Sequence, residues 1–224
     1  MTSDEGNDRS PALEAFAAQV AHDFNNLLTG VIGNLELLQM RVARTGAAGL
    51  DGYIDGANTS SARAVEFAQR LLVYSGRMTQ APEAVPLAGL LRGIAAMPEG
   101  QGVELHLPEE TPEVLADPAE LRLAILELLR NAREAVREGG GAIRLSAVAQ
   151  AGGAVVMVRD EGPGMPPDIK AQACGLLFST RTSGVGRGLG LAIAVRVAAA
   201  AGGRLELESA PGAGCTAILY LPVA

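Results

Sequence analysis

Between Ser10 and Arg44, the apolar residues Leu13, Phe16, Val20, Phe24, Leu27, Val31, Leu35, Leu38 and Val42 recur three or four positions apart, with no proline after Pro11. That spacing predicts a single amphipathic helix, roughly 50 Å long at about 1.5 Å per residue. The stretch TGAAGLDG (Thr45 to Gly52) interrupts it, and a second periodic run follows through Ile54, Ala57, Ser61, Ala64, Ala68, Leu71 and Leu72. Two helices joined by a short turn form a hairpin, and a lone hairpin leaves half of its apolar stripe uncovered. The pattern therefore predicts a homodimer in which two hairpins close a four-helix bundle.

The register ends at TQAPEAVP, where two prolines mark a linker. The expected division is a tail over 1–9, the hairpin over 10–78, a linker over 79–86 and a second domain over 87–224. In that domain the sequence predicts a helix at LAGLLRGIAAM, strands at VELHL and EVLA, and a helix opened by DPAE. Asp117 as cap, Pro118 in the first turn and Glu120 three residues past the cap form a helix-start signature. Strands follow at GAIRLSAVAQ and GAVVMVRD, then a Gly/Pro-rich loop region, a helix at LGLAIAVRVAAAA, and paired strands at GRLELES and CTAILYLPV. Helices and paired strands grouped unevenly in this way indicate an α+β two-layer sandwich.

The composition excludes several classes. A formal net charge of −7 without a dense Lys/Arg run argues against nucleic acid or an anionic membrane as the main partner. No apolar stretch is long enough to span a bilayer, and MTSDEGNDRS does not read as a signal peptide, so a cytoplasmic protein is expected. Cys174 and Cys215 lack metal or redox spacing and read as reduced structural thiols.

Four patterns carry chemistry. Within the first helix, HDFNNLLT places His22, Asn26 and Thr29 on one partly polar face, off the apolar stripe. A neutral imidazole is a competent nucleophile there, although a surface histidine without a role is the commoner case. On the helix after Pro118, Glu127, Asn131 and Glu134 share a face and offer oxygen ligands to a hard cation such as Mg²⁺; a solvated polar face explains them equally well. Asp160 ends an apolar strand and is followed by Gly162 and Gly164. Its carboxylate can accept a hydrogen bond from an exocyclic amine beside a flat ligand, and a simple turn is the bland rival. GVGRGLGL spaces Gly184, Gly186, Gly188 and Gly190 alternately before a helix, an arrangement that cradles phosphate with backbone N–H groups. Each signal alone is weak, but their fixed order is not.

The order HDFNN, ELLRNAREAV, DEGPGM, FSTR and GVGRGLGLA, with the ending GCTAILYLP, resembles the catalytic core of the bacterial sensor histidine kinases, within the ATPase superfamily shared with gyrase, MutL and a heat-shock chaperone. The resemblance covers about residues 10–224. It implies that His22 is phosphorylated from Mg-ATP and passes the phosphoryl group to an aspartate on the receiver domain of a response regulator. It also implies Asp23 as the base beside His22, and Asn26 as the residue that orients water in dephosphorylating the regulator. For the nucleotide it implies Asn131 on Mg²⁺, Asp160 on the adenine amino group, and Gly162 and Gly164 in the adenine pocket. Gly186, Gly188, Leu189 and Gly190 would serve lid and phosphates, Phe178 would anchor the lid, Arg181 and Arg187 would offset phosphate charge, and Thr216 would lie near the nucleotide.

One position departs from the family. Asparagine is usual four residues before Asn131, whereas this chain carries Glu127, as the gyrase and MutL branches do. Glu127 is thus a candidate base or Mg²⁺ ligand. Two alternatives remain: a dimeric histidine phosphotransferase relay with a non-catalytic ATPase-like domain, and a regulatory module that binds a partner without phosphorylation. No sensor or receiver region is recognised, so input is expected from a separate sensory or upstream protein, from the short N-terminal segment, or from sequence upstream of this chain.

Overall fold

The computed structural model describes residues 11–45, 50–76, 81–137, 139–150, 152–175, 178 and 188–223. The chain divides into two compact units at about Leu71 and Leu72. The first contains a long helix, α1 (Pro11–Thr45), and most of a second, α2 (Asp51–Tyr74).

The two helices approach closely at glycines. A Cβ added to Gly30 would come within 2.9 Å of Ser60 Oγ, and one added to Gly56 within 2.5 Å of Asn34 Oδ1. Moving up α1 from 30 to 34 moves down α2 from 60 to 56, so the pair is antiparallel. Asn34 is tied to its own helix, its Nδ2 donating to the Gly30 carbonyl at 2.7 Å.

The hairpin buries less of its stripe than the apolar periodicity implies. Leu27, Ala57, Phe67 and Val73 are buried, whereas Phe24, Leu35 and Val42 of the expected α1 stripe are exposed. Leu28, Ile32, Leu37 and Met40 are exposed as well. The charged residues Asp23 and Arg70 are buried too, which apolar periodicity does not reveal.

The second unit consists of β1 (Glu83–Pro86), α3 (Leu87–Ala95), β2 (Val103–His106), β3 (Glu113–Ala116), α4 (Pro118–Val136), β4 (Ile143–Gln150), β5 (Gly153–Asp160), α5 (Pro167–Gln172), α6 (Gly190–Ala200), β6 (Arg204–Ser209) and β7 (Cys215–Pro222). Five strands form one sheet in the order β2-β4-β5-β7-β6, parallel between β2 and β4 and antiparallel elsewhere. Residues alternate along each strand. Leu145, Ala147, Ala154, Val156, Val158, Leu219 and Leu221 are buried, while Arg144, Arg159 and Glu206 lie on the other face. Leu121, Ile125, Leu128 and Leu129 of α4 and Ile193 and Val197 of α6 fill the layer above the sheet. This is an α+β two-layer sandwich. Each fully buried Leu or Ile there contributes roughly 1.5–3 kcal/mol of transfer free energy.

Asp117 caps α4 as its sequence indicates, accepting from the N–H groups of Ala119 at 2.9 Å and Glu120 at 3.2 Å. The stretch expected as linker, 79–86, is not wholly connecting chain. Its last four residues form β1, which pairs antiparallel with β3 from Glu83↔Ala116 to Pro86↔Glu113. The pairing partner lies about thirty residues away, outside any local pattern. α5, in the region expected as loop, is a short helix opened by Pro167.

Candidate nucleotide site

Three segments of the second unit converge at one end of the sandwich: the later turns of α4, the end of β5 with its loop, and the first turn of α6. Glu127 lies one turn before Asn131 on α4, and only 1% of its surface is exposed. The helix does not carry it on a solvated face, because the start of α6 lies over it. A Cβ on Gly190 would come within 2.9 Å of Glu127 Oε2 and 3.3 Å of Asn131 Nδ2. Glycine at the first position of α6 is what permits this approach. Arg130 Nη1 lies 3.5 Å from Glu127 Oε1. Two hard oxygen donors side by side, a carboxylate and an amide, suit Mg²⁺, which takes few protein ligands and fills its shell with water and phosphate oxygens. Among the described residues no cluster of three His, Cys, Asp or Glu side chains is placed to hold a metal by itself.

Asp160 ends β5 and is buried. Burial pushes its carboxyl above the ordinary aspartate range, while N–H groups of Gly162 and Cys215 act in the opposite direction by hydrogen bonding to the charged form. The Gly162 N–H donates to Asp160 Oδ1 at 2.9 Å. Gly164 has a φ of +68°, and a Cβ there would lie 2.0 Å from the Ala210 carbonyl oxygen. The loop is pinned to the β6–β7 turn by a serine that sequence reasoning did not single out. Met165 N–H donates to Ser209 Oγ at 2.9 Å, and Ser209 Oγ–H donates to the Gly214 carbonyl at 2.7 Å.

Thr216 requires a correction. The register pairs Asp160 with Cys215 and Arg159 with Thr216. Side chains alternate across a sheet, so Cys215 shares the face of Asp160 and Thr216 points to the opposite one. The residue beside Asp160 is therefore Cys215, whose thiol is pushed up to about 11, chiefly by burial and next by the Asp160 charge. Counting alternation from Asp160 would identify it once the register is known.

At the start of α6, Gly188 adopts a φ of +71°. The Leu189 side chain is buried in the core, which leaves only its backbone to contribute to a ligand. Among the described residues no side chain caps α6, and a bond runs from Ile193 N–H to the Leu189 carbonyl at 2.8 Å. The N–H groups of the first turn thus form an anion-accepting end. Phe178 is half-buried, its N–H bonded to the Gly175 carbonyl at 3.2 Å. Arg181, Gly184, Gly186 and Arg187 lie outside the described residues.

In the hairpin, the backbone of His22 belongs to α1, and its side chain lies outside what is described. Asp23 is 2% exposed, and Leu27, one turn on, is buried as well. Asn25, Asn26 and Thr29 are exposed, and Thr29 Oγ1 donates back to the Asn25 carbonyl at 2.8 Å. No described helix is long and apolar enough to cross a membrane.

Residues 116–224 match the family described as histidine kinase-, DNA gyrase B-, and HSP90-like ATPase. The sensor kinase CckA of Brucella abortus is 28% identical over 230 residues, covering 94% of this chain and 24% of that protein. The sensory histidine kinase/phosphatase NtrB of Rhodobacter capsulatus is 29% identical over 226 residues, covering 93% of this chain and 61% of its own length. Full-length ShkA, solved in complex with AMPPNP, aligns with a TM-score of 0.66 and 26% identity over 92% of this chain and 46% of its own. The histidine kinase ThkA, solved in complex with the response regulator TrrA, shares the fold with a TM-score of 0.68 at 22% identity, over 97% of this chain and 64% of its own. The chain spans 24%, 36% and 48% of the lengths of three curated relatives it matches.

Proposed function

We propose, for a chain that carries a histidine kinase-, DNA gyrase B- and HSP90-like ATPase domain over residues 116–224, that it is the catalytic core of a two-component histidine kinase. It autophosphorylates His22 from Mg-ATP and passes the phosphoryl group to an aspartate on a response-regulator receiver domain. The carrying observation is the convergence of buried Asp160, the Glu127–Asn131 pair and the glycine start of α6 in one unit. Together they offer an adenine acceptor, a metal-binding pair and a phosphate-accepting helix end.

In this reading Asp160 accepts a hydrogen bond from the adenine amino group, with Gly162 and Gly164 keeping the loop close to the ring. Gly188 and Gly190 present backbone N–H groups to the phosphates, with Gly186 and Arg187 completing that segment and Phe178 anchoring it. Asn131 and Glu127 hold Mg²⁺, which when bound neutralises charge on the transferring phosphoryl group. The unprotonated ring nitrogen of His22 attacks the γ-phosphorus as the bond to the β-phosphate oxygen breaks and ADP leaves. Asp23 takes the proton held on the other ring nitrogen. Positioning and charge neutralisation supply most of the rate in such a transfer. Exposed Asn26 orients water when the regulator is dephosphorylated.

The bare apolar face of the hairpin supports a homodimer, with the second copy closing a four-helix bundle. Input reaches it from a sensory partner or from sequence upstream of this core, and the protein works in the cytoplasm. The test is incubation with γ-labelled Mg-ATP of the wild type, His22→Gln and Asp160→Asn, scored for acid-labile, base-stable label. The expected result is label on the wild type alone. Absence of label together with absence of ATP binding would leave a phosphotransferase relay as the better account.

A further inference from the structure

We propose that Ser209 is a positioning residue for the adenine subsite: its one hydroxyl ties the glycine loop after β5 to the peptide that holds the Asp160 carboxylate, so that loop and acceptor are set as a unit. This rests on the nucleotide-binding reading above and deepens it, since Ser209 acts through the backbone of the loop and turn.

Strand register brings Ser209 into line with the acid. Ser209 pairs with Cys215, Cys215 with Asp160, and Asp160 with Ile143. Paired residues of a sheet project to the same face, so these four side chains form one row across β6, β7, β5 and β4. The row lies on the face of buried Leu145 and Val158.

From Ser209 hydrogen bonds run in both directions. Met165 N–H donates to Ser209 Oγ at 2.9 Å, and the hydroxyl donates in turn to the Gly214 carbonyl at 2.7 Å. That carbonyl and the Cys215 N–H belong to one planar peptide, and the N–H donates to the Asp160 carboxylate. The Gly162 N–H reaches the same carboxylate at 2.9 Å. Loop, hydroxyl, peptide and carboxylate therefore close a ring in which each hydrogen bond polarises the next.

The loop needs such a tie. Gly162 and Gly164 let backbone approach a flat ligand but bring no side chain that packing could hold, and Pro163 and Pro166 carry no N–H. A backbone bond from Gly212 N–H to the Pro163 carbonyl at 2.7 Å fixes one point of the loop to the β6–β7 turn. Ser209 fixes a second point, at Met165. Without the hydroxyl, the Met165 N–H and the Gly214 carbonyl both lose a partner in a part-buried place, and the peptide that holds Asp160 is freed to turn.

Calorimetric titration of the full chain with adenosine and with Mg-ATP tests this in the wild type, Ser209→Ala, Ser209→Val and Ser209→Thr. Threonine keeps the hydroxyl, valine keeps threonine's shape without it, and both suit a strand, so their difference separates the hydrogen bonds from folding. Affinity should fall about tenfold in the Ala and Val variants, by the same factor for both ligands, and less than about threefold in the Thr variant. Amide exchange should quicken at Met165 in the Ala and Val variants and stay unchanged at Leu219 in the core of β7. Equal affinities for the Thr and Val variants, or a loss confined to ATP, would overturn the proposal while leaving nucleotide binding intact. So would a lowered stability with adenosine affinity unmoved. A wild type that binds neither ligand would overturn the nucleotide reading and the proposal with it.

Discussion

The two units treat their apolar residues in opposite ways. In the hairpin, Phe24, Ile32 and Met40 are 39%, 53% and 55% exposed, joined on α2 by Ile54 and Val65. In the sandwich, helices cover the sheet, and Leu87, Leu91, Leu121, Ile125, Leu129, Leu145 and Leu219 are buried almost completely. The sandwich completes its core within one chain. A hairpin of two helices cannot, since each helix presents an apolar stripe wider than one neighbour covers. Stability should therefore be intrinsic to the second unit and concentration-dependent in the first.

The largest effect that can break this contrast is a core truncation in the sandwich. Leu129→Ala removes a fully buried side chain of α4, and the expected cost is about 2–5 kcal/mol. Calorimetry of the full chain should show the sandwich transition lowered at every protein concentration, with the hairpin transition unmoved. A shift in both transitions together would mean that the units unfold as one and that the contrast has no thermodynamic meaning.

A smaller effect sharpens the hairpin side. Ile32 is 53% exposed within one chain, and if that face stays bare, Ile32→Glu should change stability by no more than about 0.5 kcal/mol. If a second hairpin covers it, the substitution forfeits about 1.5–3 kcal/mol of burial and places a charge in the seam. We expect the latter: a lowered hairpin transition that no longer rises with concentration, and a dimer lost in sedimentation. The nearby Gly30 and Gly56 are poor probes of this question, because they set the contact between α1 and α2 within one chain.

What was legible in the sequence divides along the same line. Local signals were read well where local physics decides: the Asp117 cap, the helical period of α1, and the strands at β4 and β5. β1 was missed because EAVP gains its strand conformation from pairing with β3. Glu127 and Asp23 occupy positions that helical periodicity alone would leave to solvent. Both are nonetheless buried, and the start of α6 lies over Glu127. Thr216 was assigned one residue away from the strand position that faces Asp160, a step that flips the side chain to the other face of the sheet. Motif order located the candidate site, and only pairing register and packing could say which atoms point into it.

The smallest effect tests whether the closed core of the sandwich charges a cost for holding its acid. Burial raises the Asp160 carboxyl above its ordinary value of 3.8 in the folded chain. Between that ordinary value and the raised one, the folded state holds its proton while the unfolded state has released it. Stability contributed by Asp160 must therefore fall as pH rises through that window, and remain lower above it. Asp160→Asn cannot titrate, so its stability relative to the wild type should grow across the window and then level off. Glu120, also raised by burial, is a less clean probe because Arg196 pairs with it and opposes the shift. The pH-dependent gain should appear in the sandwich transition alone. A gain of equal size in the hairpin transition would show that Asp160 is coupled to the first unit, and the division between a self-sufficient domain and an open hairpin would have to be redrawn at that residue.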